Sequence, residues 1–416
     1  MGRARVGRLR RARCLVKALG LVLLAGCELF AAIPNGSVQV DAPPGQLACS
    51  GPADCAAPTP ACDLEIGACF ECVTTADCSG GEVCSNHACG GCTEDAECGS
   101  SVCLADGTCA DAARVLFADP AGTGPDCTSA APCGLDAAFA KVTATADIVK
   151  LLPGTYNQAA TVVIAASTIV AGSGATIHAN VAMFTPMFTV SGQRTLTLLG
   201  VTVDGEPGSQ HGGAQCLDTS KLVIDRSKFS GGVVGVIASP CELSIDRSTI
   251  IGASFYGVYA NAGPVSITNT YILENGGSFE YGGLVLDSVP SGVVEHSTIA
   301  GNLTTAAGFA GIRCIASPAL VTRSNIVFGN TGGTANDPAC AISYSVIDPG
   351  YTGAGTNNTV IDPGFVDPAA SDYHLQAASP ARGLGDPASP TARDADGQPR
   401  PQPAGSPSDP GADEVP

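Results

Sequence analysis

The amino-acid sequence predicts an all-β protein built as a parallel β-helix. Its 52 Gly and 29 Pro among 416 residues favour turns over long helices. A short apolar phrase recurs between residues 196 and 347 at intervals of 21 to 27 residues, which is the circumference of one solenoid coil. Each phrase carries two apolar residues at fixed positions. These observations predict a stack of parallel coils about 4.8 Å apart.

The two apolar positions form columns through the repeats. The first column is Val203, Phe229, Ile250, Ile272, Ile299, Ile326 and Ile347, and the second is Leu198, Ile224, Ile245, Ile267, Val294, Val321 and Ile342. Because stacked coils bury equivalent positions, we expect both columns inside the solenoid. Glycine precedes another strand in most coils, at Gly213, Gly235, Gly257, Gly283 and Gly311. We expect these glycines at corners that need unusual backbone angles.

Residues 1–26 are predicted to be an export signal. Seven basic residues lie among the first 17, and the following apolar run of nine residues is shorter than the roughly 20 needed to cross a bilayer. The run ends in LAGC at 24–27, which resembles a bacterial lipobox. The resemblance implies that Cys27 becomes the lipidated N-terminus, and Glu28 implies outer-membrane sorting, facing either the periplasm or the outside. The alternative is an ordinary signal peptide with a chance cysteine.

The charge of the chain restricts its partners. The signal segment holds seven of the 20 basic residues and none of the 38 acidic ones, so its removal leaves a formal charge of −25. Such a surface repels nucleic acid, anionic lipid and polyanionic sugars. We therefore expect a monomer with no nucleic-acid partner, held at the membrane by its lipid. Residues 27–48 lack any strand or helix period and are predicted to be a flexible tether.

Residues 49–110 are predicted to be a disulfide-rich, irregular stalk. Twelve cysteines form three units of four: Cys49, Cys55, Cys62 and Cys69; Cys72, Cys78, Cys84 and Cys89; Cys92, Cys98, Cys103 and Cys109. An acidic residue, Asp54, Asp77 or Glu97, precedes the second cysteine of each unit. An exported chain favours disulfides, whose pairing within each unit the sequence leaves open. The alternative is a zinc ribbon at Cys69, Cys72, Cys89 and Cys92.

The start of the solenoid carries its own signature. Cys127 and Cys133 are close enough to bridge locally, and Leu135, Ala138, Phe139 and Val142 have the spacing of a short helix. This order of strand, cysteine loop, helix and strand resembles the N-terminal cap of the pectin lyase-like superfamily. The resemblance implies a right-handed parallel β-helix over residues 111–375.

Two further cysteine pairs lie about one coil apart within the repeats. Cys216 precedes Cys241 by 25 residues, and Cys314 precedes Cys340 by 26. Neighbouring coils bring backbones within disulfide distance, so we expect both pairs to bridge coils. Four buried free thiols are the alternative.

The end of the chain is predicted to close the solenoid. Residues 361–416 resemble the choice-of-anchor Q segment in their DPGF, SPA, DADG, RP and DPGA motifs. The resemblance implies a cap or tail over residues 376–416 that covers the last coil. DADG at 394–397 is interpreted as a turn, with a calcium site as the alternative because hard cations bind clustered carboxylates. We otherwise expect no cofactor.

A polar column is the candidate catalytic site. Its members are Arg226, Arg247, Asn269, His296 and Arg323, and beside it run Asp225, Asp246, Thr268, Glu295 and Thr322. A structural ladder of paired charges is one interpretation. Acid–base catalysis is the other, with Glu295 and His296 as the most enzyme-like pair and Asp225, Arg226, Asp246 and Arg247 as further candidates.

Two functions fit these features. The first is a lipid-anchored cell-envelope protein that displays a rigid β-helix for adhesion or for binding a glycan or protein partner. The second is a polysaccharide lyase or glycoside hydrolase, which fold alone does not establish. The chain has no Trp and only 5% aromatic residues, so we expect few stacking platforms for sugar rings.

Overall fold

The computed structural model describes residues 46–181, 185–205, 212–277, 281–305 and 307–416. From residue 115 to residue 347 the chain winds as a right-handed parallel β-helix, which confirms the predicted fold class. Each coil passes through three parallel sheets, which we name A, B and C in chain order. No helix among these residues is long and apolar enough to cross a membrane.

Sheet A has ten strands, sheet B nine and sheet C eight. The strands of sheet A are Val115–Ala118, Ile148–Leu151, Thr168–Ala171, Thr195–Leu199, Ser220–Asp225, Cys241–Asp246, Val265–Thr268, Gly292–Glu295, Leu320–Arg323 and Ile342–Ser343. Those of sheet B are Gly154–Gln158, Ala175–Ala179, Thr202–Gly205, Lys228–Ser230, Thr249–Ile251, Tyr271–Leu273, Thr298–Ala300, Ile326–Phe328 and Val346–Ile347. Those of sheet C are Val162–Val163, Pro186–Val190, Gly212–Cys216, Val234–Ala238, Tyr256–Asn261, Leu284–Asp287, Phe309–Ile315 and Thr334–Asn336.

The interior consists of stacked apolar residues, as the two columns predict, but the alignment of one coil is wrong by a residue. Val327, not Ile326, pairs with Ile299, and Thr322, not Val321, pairs with Val294. Val321 is 48% exposed, whereas Thr322 is buried. Arg323 therefore pairs with Glu295 and leaves the polar column, and Ser324 takes its place in the turn.

The repeated glycines are required for close packing and not for unusual angles. Gly213, Gly235, Gly257 and Gly311 lie within strands of sheet C, and none has a positive φ. A Cβ on Gly235 would lie 2.5 Å from the Gly257 carbonyl oxygen and 2.4 Å from the nearest Ile250 side-chain carbon. Real contacts are never this short, so glycine is needed here because a side chain would not fit. The prediction that these glycines provide unusual backbone angles at corners was wrong.

An asparagine ladder runs inside the solenoid at the end of sheet B. The Asn302 amide nitrogen donates to the Asn330 side-chain oxygen at 2.9 Å and to the Ile272 carbonyl at 3.0 Å. Its side-chain oxygen in turn accepts from the backbone and the side chain of Asn275, at 2.9 and 3.1 Å. The three asparagines satisfy buried backbone groups at the corner between sheets B and C.

The Cys-rich region consists of three units with one disulfide pattern, in which the first cysteine pairs with the third and the second with the fourth. The bonds are Cys49–Cys62, Cys55–Cys69, Cys72–Cys84, Cys78–Cys89, Cys92–Cys103 and Cys98–Cys109. All four cysteines of the alternative zinc ribbon are therefore in disulfides. Hairpins Ala61–Asp63/Ala68–Phe70 and Val83–Ser85/Ala88–Gly90 belong to the first two units.

The repeated acidic residue ends a single 3-10 turn in each unit. These turns are Pro52–Asp54, Thr75–Asp77 and Asp95–Glu97. The Asp77 carboxylate accepts from the Val73 and Thr74 amides at 2.9 and 2.8 Å. Asp54 and Glu97 make the equivalent bonds, so the acid closes the turn that positions the second cysteine.

The third unit is not a free stalk, because it packs on the outer face of sheet A. Val102 and Ala110 are buried against Val115, Ile148 and Leu199. The Lys150 ammonium forms an ion pair with Asp95. The third unit therefore covers part of the solenoid wall.

The N-terminal cap has the predicted order of elements. A 3-10 turn, Ala112–Arg114, precedes strand Val115–Ala118, and the helix covers Leu135–Ala140. The local disulfide joins Cys127 to Cys133. Further disulfides, Cys216–Cys241 and Cys314–Cys340, each connect one coil to the next.

The C-terminal segment lies along the side of the solenoid and does not cover its end. Its hairpin, Phe365–Asp367 with Asp372–Leu375, brackets a 3-10 turn, Pro368–Ala370. Phe365, Leu375 and Val415 pack against outward-facing residues of sheet B, among them Leu273 and Ile326. The last coil is instead covered by residues 351–359, where Tyr351 packs on the core and Thr359 pairs with Val346.

Candidate functional site

The polar column lies in the two-residue turn between sheets A and B. Arg226, Arg247, Asn269 and His296 all have φ between 45° and 50°. This left-handed conformation is uncommon for residues other than Gly and Asn. The column is thus a consequence of the turn, which recurs once per coil.

A cleft of about 960 Å³ surrounds the first part of this column. Residues 91–94 and 103–107 of the third Cys-rich unit form one wall, and residues 391–397 of the C-terminal segment form part of the lining. Arg226 spans it, donating to the Thr93 carbonyl at 3.2 Å and to the Cys103 carbonyl at 3.4 Å. Three separate parts of the chain therefore meet here.

Asp225, Arg226, Asp246 and Arg247 form one ladder of ion pairs. The Asp225 carboxylate lies 3.0 Å from Arg226 Nε and 2.9 Å from an Arg247 terminal nitrogen. Arg247 Nε lies 3.0 Å from Asp246. Burial raises the pKa of Asp225, and the two guanidinium groups oppose that shift. The charges neutralise one another between coils, which supports the structural interpretation of this column over the catalytic one.

Glu295 and His296 do not form an exposed acid–base pair. His296 is fully buried, with Nδ1 3.0 Å from the Asp409 carbonyl and Nε2 3.0 Å from the Ser389 hydroxyl. Burial, aided by the Arg400 charge, lowers the pKa of His296 well below its usual value. Glu295 is also buried and forms an ion pair with Arg323 at 2.9 Å. The C-terminal segment covers both residues, so a polymer substrate has no access to them.

The DADG segment forms a turn closed by its first aspartate. One Asp394 side-chain oxygen accepts from the Asp396 and Gln398 amides at 3.1 and 2.6 Å, and the other accepts from the Glu414 amide at 3.1 Å. The Asp394 carboxylate is therefore engaged in holding the turn and the end of the chain together.

A second polar cluster joins this turn to the C-terminal hairpin. His374 Nδ1 lies 2.6 Å from Asp372, and its Nε2 lies 3.1 Å from Asp396. Hydrogen bonding to Asp396 and Asp372 raises the pKa of His374 to about 9. Asp413 lies beside them, so that one ligand atom from each of His374, Asp396 and Asp413 falls within 4.8 Å of the others. No local pattern in the sequence indicates this cluster, because Asp372 and Asp413 are 41 positions apart and only the folded segment brings its members together.

Aromatic side chains gather on the outer face of sheet C. The rings of Phe255 and Tyr256 are 4.5 Å apart, and those of Tyr256 and Tyr259 are 5.5 Å apart. Burial raises the pKa of Tyr256 to about 12. The Tyr259 hydroxyl donates to Asp287 at 3.4 Å.

The same face continues across the next coils with a stacked guanidinium. Arg313 lies over the Tyr281 ring at 4.6 Å and over the Phe309 ring at 5.4 Å. We call Phe255, Tyr256, Tyr259, Tyr281, Phe309 and Arg313 the aromatic face. The low aromatic content of the chain concealed this concentration, although three aromatic residues within positions 255–259 could have indicated it.

A depression of about 350 Å³ adjoins the aromatic face. Its lining includes Phe255, Tyr256, Ile237, Gln215 and Pro186. Its lining is largely apolar and includes the Gln215 amide, which suits a ligand that has both an apolar surface and hydroxyl groups.

Cys27, the predicted lipidation site, lies outside the described residues, as does the signal segment. Other groups of potential metal-binding side chains in the described part of the chain consist of cysteines that form disulfides. Among those groups in the described residues, the His374 cluster is therefore the one whose donor atoms are not in disulfides.

Comparison with known proteins agrees with the architecture. Residues 212–366 match the family model described as "Right handed beta helix region". No curated protein matches the chain. Among solved structures, the chain is similar to pectate lyase Pel9A, with 16% identity over 73% of this chain and 96% of the other, at a TM-score of 0.37. A TM-score this low supports no statement about activity. The family match over residues 212–366 agrees with the right-handed β-helix seen in the structure.

Proposed function

We propose that the protein is a lipid-anchored cell-envelope protein whose β-helix binds a neutral glycan on the aromatic face. The observation that carries this proposal is the concentration of five aromatic rings and Arg313 on one side of sheet C, next to an apolar depression. Aromatic faces pack on the apolar faces of sugar rings, and nearby polar groups bind sugar hydroxyls.

Charge favours a neutral glycan over an acidic one. The mature chain carries a formal charge of −25, which opposes the approach of a polyanion. On the aromatic face itself, Asp287 lies beside Tyr259, and Arg313 is the stacked cation. Hydroxyl-rich, uncharged polymers are the ligands that this mixture of rings, carboxylate and guanidinium accommodates best.

A glycan array tests the proposal. The mature chain is expected to bind at least one neutral polymer, and Tyr256→Ala and Tyr259→Ala are each expected to weaken that binding at least tenfold. Tyr344→Ala is the matched control, because Tyr344 lies in the turn between sheets A and B, away from sheet C. Absence of binding to every neutral polymer, or equal binding by all variants, would contradict the proposal.

The same material distinguishes binding from catalysis. Cleavage of any bound polymer, measured with and without calcium, would favour the alternative of a polysaccharide lyase or glycoside hydrolase.

The lipid anchor has a separate test. Labelled palmitate is expected to enter the wild-type protein in cells and not the Cys27→Ala variant, and equal labelling would contradict the anchor.

A further inference from the structure

Three distant parts of the C-terminal segment converge beside sheet B. The hairpin supplies His374 and Asp372, the DADG turn supplies Asp396, and the end of the chain supplies Asp413. Potential ligand atoms of His374, Asp396 and Asp413 all lie within 4.8 Å of one another. This separation is compatible with one metal ion bound between them.

A buried tyrosine beside the cluster has an unused hydroxyl. Tyr271, on strand Tyr271–Leu273, is 7% exposed, and its Oη has no hydrogen-bond partner among the described residues. Its ring meets that of His374 edge to face at 5.6 Å, and both residues line one cavity with Asp396. Of the nearby charges, the Asp413 carboxylate acts most strongly on this hydroxyl. A buried hydroxyl is costly unless a hydrogen bond or a cation engages it.

The surrounding charges also favour a cation. Within residues 394–414, four carboxylates are buried, those of Asp394, Asp409, Asp413 and Glu414. One buried guanidinium, that of Arg400, is present, and it pairs with Glu414 at 2.8 Å. The segment thus buries more negative than positive charge next to the His374 cluster.

We infer that His374 Nε2, Asp396 and Asp413 bind a zinc ion, which displaces to solvent the proton that links Nε2 to Asp396, with Tyr271 Oη as a neighbouring oxygen donor. An imidazole nitrogen with two carboxylates is a donor set that zinc accepts, whereas calcium prefers six to eight oxygens. Asp372 contacts the other ring nitrogen at 2.6 Å, which is how proteins orient a metal-binding histidine. The ion would link the hairpin, the DADG turn and the chain end to the wall of the solenoid.

Zinc titration of the metal-free mature chain tests this site. In a Cys27→Ser background, every remaining cysteine of that chain lies within the described residues and forms a disulfide. Isothermal titration is expected to give one zinc per chain, and zinc is expected to raise the melting temperature. His374→Asn and Asp396→Asn are each expected to weaken zinc binding at least tenfold. His87→Asn is the matched control, because His87 contacts a single carboxylate, that of Asp63, at 3.0 Å.

Two results would overturn the inference. One is the absence of stoichiometric zinc binding, and the other is equal binding by His374→Asn, Asp396→Asn and His87→Asn. Binding of calcium in place of zinc would overturn the identity of the ion. Asp396→Asn controls for loss of folding. The Asp396 side chain is half exposed and, among the described residues, its carboxylate hydrogen-bonds to His374 alone, so Asp396→Asn is expected to keep the native circular dichroism spectrum.

Discussion

His296 illustrates how a residue with catalytic chemistry becomes structural when its surroundings change. In the sequence it stands beside Glu295 in a repeated polar column, and in the folded chain both of its ring nitrogens are occupied by the C-terminal segment. Arg400 and Arg323 both face it and oppose its protonation. The residue therefore remains neutral in the folded protein and reports on docking of that segment.

This burial predicts a pH dependence of stability. An unfolded histidine titrates near pH 6.5, whereas the pKa of folded His296 lies well below that value. Below pH 6.5 the unfolded chain binds a proton that the folded chain does not. The free energy of unfolding therefore falls by up to about 1.4 kcal/mol for each unit by which the pH decreases. Urea unfolding between pH 7.5 and 5.5 is expected to show a smaller loss in His296→Gln than in wild type.

The comparison of slopes isolates His296. Burial raises the pKa of Asp225 and Asp413, which makes the folded state bind more protons and acts in the opposite direction. Those carboxyl groups are present in both proteins, so their contribution cancels. Identical slopes for wild type and His296→Gln would contradict the prediction, because they would show that His296 takes up its proton equally in the folded and unfolded states.

Gly235 is a second residue whose environment decides its identity. A methyl group there would overlap the Gly257 carbonyl and Ile250, so Gly235→Ala is expected to lower the free energy of unfolding by about 1 to 3 kcal/mol. Gly99→Ala is the control, since nothing lies within 4 Å of a Cβ at that position. Equal urea midpoints for the two variants would contradict this prediction, because they would mean that neighbouring coils of sheet C move apart without cost to accommodate the methyl group.

At the scale of the element, each coil is held to the next by ladders of identical contacts. Asn302 alone bonds to Asn275, Asn330 and the Ile272 carbonyl. Asn302→Ala would leave several buried groups without partners, each costing about 1 to 3 kcal/mol, so we expect a total loss of about 3 kcal/mol or more. Hydrogen exchange should rise most in the flanking coils, around residues 271–276 and 326–331, because coils contact only their neighbours.

Asn180→Ala provides the control for the ladder. Asn180 is exposed, and its backbone amide bonds to the Gln158 carbonyl whatever its side chain. It is expected to retain wild-type stability and exchange. A similarly small effect of Asn302→Ala would mean that solvent replaces the ladder at this corner.

The coils also show what the sequence can and cannot predict. Apolar periodicity identified the solenoid because interior positions repeat once per coil. It failed at residues 321–327, where Ile326 and Val327 are both apolar and the buried position of sheet A is filled by polar Thr322. The hydrogen-bond register between neighbouring coils decides which of two adjacent residues faces the interior. The amino-acid composition of the segment does not give that register.

The candidate site was predictable only in part for the same reason. The ladder of Asp225, Arg226, Asp246 and Arg247 followed from aligned repeats, because each charge recurs in the same turn. The cover over His296 and the His374 cluster arise from docking of residues that are distant in sequence and lack a period. No local pattern marks such contacts.

At the scale of the whole molecule, the two flanking regions pack along the solenoid. The third Cys-rich unit covers sheet A and the C-terminal segment covers sheet B, so the aromatic face of sheet C lies on the remaining side. This arrangement is compatible with the proposed binding on sheet C, because the two packed regions occupy sheets A and B.

An ion pair between buried Lys150 and partly buried Asp95 is expected to contribute to docking of the third Cys-rich unit. Lys150 is 5% exposed and pairs with Asp95 across the joint. Lys150→Ala leaves Asp95 without its cation; breaking a fully buried pair costs about 3 to 5 kcal/mol, and because Asp95 is only partly buried we expect a smaller cost here. We expect the third unit to detach while its disulfides keep it folded.

Hydrogen exchange resolves this outcome by region. In Lys150→Ala, exchange is expected to rise across residues 92–110 and in strand Val115–Ala118, which the unit covers, while strands near residue 300 remain protected. Lys221→Ala is the matched control, because Lys221 pairs with Glu242 at 2.6 Å on an exposed surface, where such pairs contribute little. If both variants exchange like wild type, apolar contacts of Val102 and Ala110 alone hold the unit in place, and the ion pair only orients it.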